Sequence, residues 1–365
     1  MQSILDKIQY ISKFALLKKK NGSAFIPSII DYTSKRKKSS IGFSEYFTFK
    51  LYDKNYPEEY RNDFLGSVNH KLYLDYLNPK HYSLLAGNKY LTKIYLQSLN
   101  IPTSDLLFVF DPKAGKSSEH IFTTYSEVID YFKKENPAEF VCKPLTSSHG
   151  IGVDVFTGWT FKKDDVILKH INNNEIFLES YLKNNSNLKS LIFERRIKQS
   201  DYINEINFSS VNTLRIVTLL FPDGDADVLT AFLRMGRKNV WFDNAFKGGN
   251  IDASINTSTG QLEYPISFKS FDNITDITHH PDSKIDLTNF CIKDWDYIIK
   301  QVKEFQQKTS LLKAIAWDVA ITDDGPVIIE INHRWDLTGQ IFVRKGWYSL
   351  LKKCYDSWIN STATS

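Results

Sequence analysis

At 365 residues and 42.3 kDa, the chain exceeds one small domain and has room for two or three lobes with a cleft between them. Hydrophobic residues at 42% and charged residues at 24%, with only 16 Gly and 11 Pro, exclude a disordered or fibrous chain. The net charge of +4, from 46 Lys+Arg against 42 Asp+Glu, is too small an excess to mark a nucleic-acid binder.

Much of that excess falls in two runs, Lys18-Lys19-Lys20 and Lys35-Arg36-Lys37-Lys38. Such runs are usually solvated, with an anionic membrane surface or a phosphate-bearing substrate as the alternative partner. The three cysteines, Cys142, Cys291 and Cys354, are too widely separated for a metal or disulfide pattern and favour a reducing compartment. The stretch from Lys7 to Lys20 is basic and weakly amphipathic but lacks the long apolar region of a leader, and no segment reaches the roughly 18 apolar residues of a spanning helix. A cytoplasmic protein is expected, with peripheral association at the inner membrane face left open.

In chain order, the first 84 residues are rich in closely spaced aromatics, Phe43, Tyr46, Phe47, Phe49, Tyr52, Tyr56, Tyr60 and Phe64, and read as a packed accessory lobe. Residues 85–172 read as a first α/β lobe. It opens with a helix from Leu84 to Leu99, stopped by Asn100-Ile101-Pro102, and a strand at Leu107–Phe110. Thr124-Tyr125-Ser126-Glu127 has capping-box spacing before a further helix. A strand at Phe140–Lys143 then runs into a polar loop. Residues 173–365 read as a second lobe: strands at Ile176–Glu179, Thr213–Leu220, Asp227–Arg234 and Asn239–Asn244, and an amphipathic helix around Ile292, Trp295, Ile299, Val302 and Phe305. Two strands, Leu312–Ile321 and Val327–Asn332, and a helix near Trp347–Trp358 close the chain.

Three constellations carry chemistry. The last two strands read as a hairpin around Asp323-Asp324-Gly325, with Thr322 facing Pro326 and Asp318 opposite Glu330. Alternation puts Glu330 and Asn332 on one face, so that two carboxylates and an amide converge. Like charges so placed need a compensating cation, and magnesium accepts this oxygen set; a solvated hairpin with scattered acids is the alternative. In Lys143-Pro144-Leu145-Thr146-Ser147-Ser148-His149-Gly150-Ile151-Gly152, a strand-end lysine precedes two glycines that open backbone donors to phosphate, although ordinary turns would use glycine as well. His149 is a candidate acid, base or lid contact, or a plain exposed histidine. Lys89 is a second candidate phosphate ligand, with Lys93 competing for the role. Phe177-Leu178-Glu179-Ser180-Tyr181-Leu182 passes from apolar strand to polar hinge, able to wall an adenine or simply to fill core.

Taken in this order, with Ser210-Val211-Asn212-Thr213-Leu214-Arg215, Phe242-Asp243-Asn244-Ala245-Phe246-Lys247-Gly248-Gly249, Trp317-Asp318 and Ile329-Glu330-Ile331-Asn332, these residues resemble the ATP-grasp superfamily from about Gly42 to Asp336. The nearest likeness is to its sugar-transfer-associated branch, linked to bacterial polysaccharide synthesis. The resemblance implies an α+β fold of two subdomains clasping ATP, and a carboxylate–amine ligase working through an acylphosphate. It makes Lys89 and Lys143 phosphate contacts, joined in the nucleotide site by His149, Gly150 and Gly152, and makes Glu179 and Tyr181 the start of the adenine hinge. Asp318, Glu330 and Asn332 become the magnesium site. Arg215 and Arg234 fall near the transferred phosphoryl group or substrate carboxylate, with Asn244 and Lys247 on a loop beside them. Two departures stand out. Ala316 occupies the position, two residues before the metal Asp, where several ligase branches carry Arg. The stretch from Tyr181 to Asn212 is long and hides the ribose contact, for which Glu194 is a weak candidate. The expected partners are a sugar-acid or polysaccharide precursor and an amine donor. The rivals are an ATP-grasp kinase and a nucleotide-responsive binding protein without turnover.

Overall fold

The computed structural model describes residues 25–147, 150–162, 164–186, 190–241 and 251–363. Among them, two seven-stranded sheets face each other. The first contains β1 (Leu106–Phe110), β2 (Ile121–Phe122), β3 (Phe140–Pro144), β4 (Asp154–Lys162), β5 (Asp165–His170), β6 (Glu175–Phe177) and β7 (Leu191–Arg195), in the order β2-β1-β7-β3-β4-β5-β6. The second contains β8 (Thr213–Leu220), β9 (Ala226–Met235), β10 (Ile251–Ile255), β11 (Leu262–Ser270), β12 (Asn273–Asp276), β13 (Ala314–Thr322) and β14 (Gly325–Asn332), in the order β12-β11-β10-β9-β8-β13-β14. The expected lobe boundary at 172/173 cuts the first sheet, because β6 and β7 follow it in sequence; the sheets divide between Arg195 and Thr213.

Each sheet buries one face under helices. The helix Tyr125–Glu135 begins at the expected capping box, where Thr124 N–H donates to Glu127 Oε2 at 2.9 Å. With the helix Leu178–Ser186 it covers Phe108, Phe140, Phe156 and Phe193. On the second sheet, the helix Trp295–Lys308 sets Trp295, Ile298, Val302 and Phe305 against Leu214, Ile216, Trp317 and Val319. The period of two then sends Arg215 and Asp318 to the opposite face.

The expected helix from Leu84 to Leu99 is two helices, Leu84–Gly87 and Lys89–Ser98. Asn88 breaks it because its side chain accepts from the N–H groups of Tyr90 and Leu91, capping a new start. The N-terminal aromatics are not a lobe of their own. Tyr46, Phe49, Tyr60 and Phe64 share a core with Ile266 and Phe268 of β11 and with Ile341–Val343. Buried Gln340 fastens this region by accepting from Leu65 N–H at 2.8 Å and donating to Leu65 O at 3.2 Å. Lys35, expected in a solvated run, is buried in the helix Phe25–Ser39 and pairs with Asp31. The stretch from Lys7 to Lys20 lies outside the described residues, as does the 242–244 part of the strand expected at Asn239–Asn244. The described start of that strand, Asn239 to Trp241, is not extended sheet. No helix among the described residues is long and apolar enough to cross a membrane.

Candidate active site

The hairpin β13–β14 reaches the expected register by an unexpected route. Thr322 pairs with Gly325 and Ile321 with Pro326, so the loop is the two residues Asp323-Asp324, with Gly325 at φ +110°. A bulge between Asp318 and Val319 then shifts the pairing by one residue and restores Asp318 opposite Glu330. From there one row of the sheet reads Glu330, Asp318, Arg215, Phe232 across β14, β13, β8 and β9. The next reads Thr213, Arg234, Asp252 across β8, β9 and β10. Directly paired residues share a face, so both rows look the same way.

On the first sheet, Val141 pairs with Glu194 and Lys143 with Ile192, while Val155 extends the row from β4. This face looks toward the charged rows across a cavity of about 500 Å³, lined by Lys89, Lys143, Arg215, Arg234, Asp318 and Glu330 among others.

The charges inside are paired in an ordered way. Arg215 Nε donates to Asp318 Oδ1 at 2.5 Å and its terminal nitrogen to Oδ2 at 3.1 Å, a bidentate grip on a carboxylate only 2% exposed. Arg234 stands 3.8 Å from the same carboxylate. Burial pushes the Asp318 carboxyl upward, but these two guanidiniums outweigh it and hold it below the usual carboxylate range. Half-buried Glu330 has no such grip among the described residues: burial and then Asp318 push its carboxyl up, against a smaller opposing pull from Lys89 and Lys143. On the facing sheet, Glu194 Oε2 lies 2.6 Å from Lys143 Nζ and its Oε1 2.9 Å from Lys93 Nζ. Burial opposes the charge on all three groups; Glu194 nonetheless holds Lys143 protonated above its ordinary range, while desolvation leaves Lys93 below. Lys89 Nζ donates to Ser147 O at 2.5 Å, against the loop that carries Gly150.

Residues 67–355, well over half of the chain, match the sugar-transfer associated ATP-grasp family. The chain belongs to this family. It is thus an α+β ATP-grasp protein. No curated protein matches the sequence. Among solved structures, it is similar to phosphoribosylamine–glycine ligase from Thermotoga maritima (13% identity, TM-score 0.45, covering 76% of this chain and 56% of that one). It is similar also to D-alanine–D-alanine ligase from Bacillus anthracis complexed with ATP (12% identity, TM-score 0.41, 77% and 68%). A third is N5-carboxyaminoimidazole ribonucleotide synthetase in an ADP complex (11% identity, TM-score 0.40, 71% of this chain); the chain spans about half, 51%, of that synthetase.

Against the residues expected of an ATP-grasp site, the structure brings Lys89, Lys143, Gly150, Arg215, Arg234, Asp318, Glu330 and Asn332 to one cavity. It does not bring Glu179 or Tyr181 there. They follow β6, the edge strand, on the helix covering the other face; exposed Glu179 pairs with Lys183 at 2.8 Å and buried Tyr181 donates to Asp154 at 2.7 Å. The segment that does run from sheet to sheet along the cavity is Arg195 to Ile197, after β7. Its signal was present in the sequence, as the apolar run Leu191-Ile192-Phe193 ending on Glu194-Arg195-Arg196. Glu194 itself lines the cavity, buried between two lysines that engage both of its carboxylate oxygens. Gly152, at φ +74°, packs against Pro144, where an added Cβ would meet Cγ at 3.0 Å, and is not on the cavity wall. His149, Asn244 and Lys247, with Gly248 and Gly249, lie outside the described residues.

Two family features gain physical explanations. In Ser210-Val211-Asn212-Thr213-Leu214-Arg215, Asn212 is fully buried and its amide donates to Gln199 Oε1, Ile203 O and Asn207 O, a knot that anchors the start of β8 so that Arg215 meets Asp318. Ala316 lies on the same face as Asp318 but under Tyr73, Leu74 and Leu77, where an arginine would be buried in apolar core. Arg215, from the neighbouring strand, reaches Asp318 instead.

The donor set fits magnesium in kind. Glu330 supplies a carboxylate without an arginine grip, Asn332 lies 3.4 Å from it, and Asp318 is adjacent. Among the described residues no group of three or more His, Cys, Asp or Glu is arranged to hold an ion, so nucleotide and water oxygens would complete the shell.

Proposed function

We propose that this protein uses Mg-ATP to activate a carboxylate of a sugar acid or polysaccharide precursor as an acylphosphate, which an amine then converts to an amide. The reading is supported above all by cations of one sheet, Lys89 and Lys143, facing Asp318 and Glu330 of the other across one cavity. Family membership supports the general ligase chemistry and the association with sugar transfer.

In this scheme Val141, Val155 and the segment from Arg195 to Ile197 wall the base, and Lys89 and Lys143 neutralise the phosphates. Glu330, Asp318 and Asn332 would hold the cation, which would supply positive charge to neutralise phosphate. Arg215 and Arg234 meet the substrate carboxylate beside the phosphoryl group. A carboxylate oxygen bonds to the γ-phosphorus as the bond to ADP breaks. The amine nitrogen then bonds to the acyl carbon, phosphate leaves, and the amine proton passes to solvent. Positioning and preorganised charge carry the rate. The two lobes expected as 85–172 and 173–365 are better drawn around the sheets, with the division near Arg195 to Thr213. Cytoplasmic location and peripheral membrane association belong to the same proposal.

The test is incubation with ATP, magnesium, and pooled sugar acids, polysaccharide precursors and amines, followed by mass analysis. A ligase couples ADP formation to an amide product. Phosphorylated product formed equally without amine would mark a kinase, and ATP binding with no turnover across the pool would mark a binding protein.

A further inference from the structure

We propose that Glu194 is a positioning residue for nucleotide binding, fixing the Lys143 ammonium so that it meets phosphate and does not collapse onto Glu330. The proposal rests on the reading that the cavity takes ATP. Glu194 is 3% exposed and both of its carboxylate oxygens are engaged, Oε1 by Lys93 and Oε2 by Lys143. Lys93 is tied from behind by Ser104, whose hydroxyl accepts a hydrogen bond from its ammonium at 2.9 Å and whose carbonyl accepts another, so that ammonium is spent. Two ammoniums on one carboxylate leave a single surplus positive charge, and Lys143 delivers it to the cavity wall.

Glu194 matters because of what lies across the cavity. Among the described residues Glu330 has no arginine partner, and it attracts Lys143. A lysine is a point charge on a flexible four-carbon stem, so without a fixed partner it follows the strongest nearby anion. Turning to Glu330 would remove one phosphate contact and engage one candidate metal oxygen together. The charged groups around Lys143 are Glu194 on β7, Lys93 on the helix Lys89–Ser98 and Glu330 on β14; Cys142 on its own strand is a buried thiol. Only Glu194 holds it by a direct ion pair among the described residues.

The experiment measures Mg-ATP binding by calorimetry and steady-state kinetics on the full chain. Glu194→Gln is expected to weaken ATP binding, and raise KM for ATP, about 10- to 100-fold, the worth of one charge-assisted hydrogen bond, with a smaller fall in kcat. Glu194→Asp should recover part of the loss. Combined with Lys143→Met, Glu194→Gln should add less than about twofold, because it acts through that lysine. Glu194→Gln strands the Lys93 charge, so Lys93→Met/Glu194→Gln is measured alongside; it removes that charge and should show the same weakened binding in a stably folded protein. Binding by Glu194→Gln within about twofold of the parent, or full additivity with Lys143→Met, overturns the inference. Failure of the unaltered protein to bind ATP overturns the nucleotide reading and this inference with it.

Discussion

Replacing Glu330 by Gln is expected to stabilise the nucleotide-free protein while abolishing its turnover. Glu330 sits directly across from Asp318, and opposed side chains on neighbouring strands lie roughly 5 Å apart. Two unit charges at that distance repel by about 3 kcal/mol at an effective dielectric of about 20. Lys89 and Lys143 offset part of this, so the net gain on removing the charge is about 1–2 kcal/mol. The sign depends on pH. Glu330's carboxyl is raised in the folded state, so the folded protein holds that proton more tightly than the unfolded chain. Its contribution to stability is present below the unfolded carboxylate range and lost as pH rises through the raised value. The Gln variant should therefore match its parent in acid and exceed it at neutral pH. Urea unfolding at several pH values, without nucleotide or magnesium, reads the effect. ADP release, read alongside with the acceptor identified, should fall about a hundredfold or more. A Gln variant less stable than its parent at neutral pH would refute the like-charge account. Turnover within about tenfold would remove Glu330 from the site.

Tyr181→Phe should leave ATP affinity within about twofold of the parent while costing about 1 kcal/mol of stability, since its hydroxyl serves Asp154 away from the cavity; calorimetry and urea unfolding check the two halves. Gly346→Ala places a Cβ 2.0 Å from the carbonyl carbon of Asp63, and should cost about 2–3 kcal/mol and expose residues 25–65 to limited proteolysis. His70 is held by burial at a pKa of about 4 against an ordinary 6.5. It therefore supports the fold above pH 6.5, and that support, at most about 3 kcal/mol, is lost as pH falls through about 4. His70→Phe should flatten that limb of a stability-against-pH curve.

The elements that define the site were legible wherever one strand or one turn carried the signal. The hairpin register put Asp318 opposite Glu330 and alternation put Glu330 and Asn332 on one face, while Thr124 with Glu127 announced a helix start. The pairing of Asp318 with Glu330 came out right although the loop and the expected Thr322–Pro326 pair did not, because the bulge after Asp318 compensates a turn one residue shorter than expected. Glu179 and Tyr181 were expected at the cavity for a physical reason: an apolar strand followed by polar residues describes both Glu175–Phe177 and Leu191–Arg195. Only sheet order shows that the first is an edge and the second is central.

By itself, then, the sequence determined which side chains share a face and which family's chemistry they belong to, because period and motif are properties of contiguous residues. Tertiary structure alone decided that Lys143 is held by Glu194, that Lys93 is spent behind it, and that Arg215 grips Asp318. Those partners come from strands and helices far apart in the chain, and an ion pair is set by distance in space.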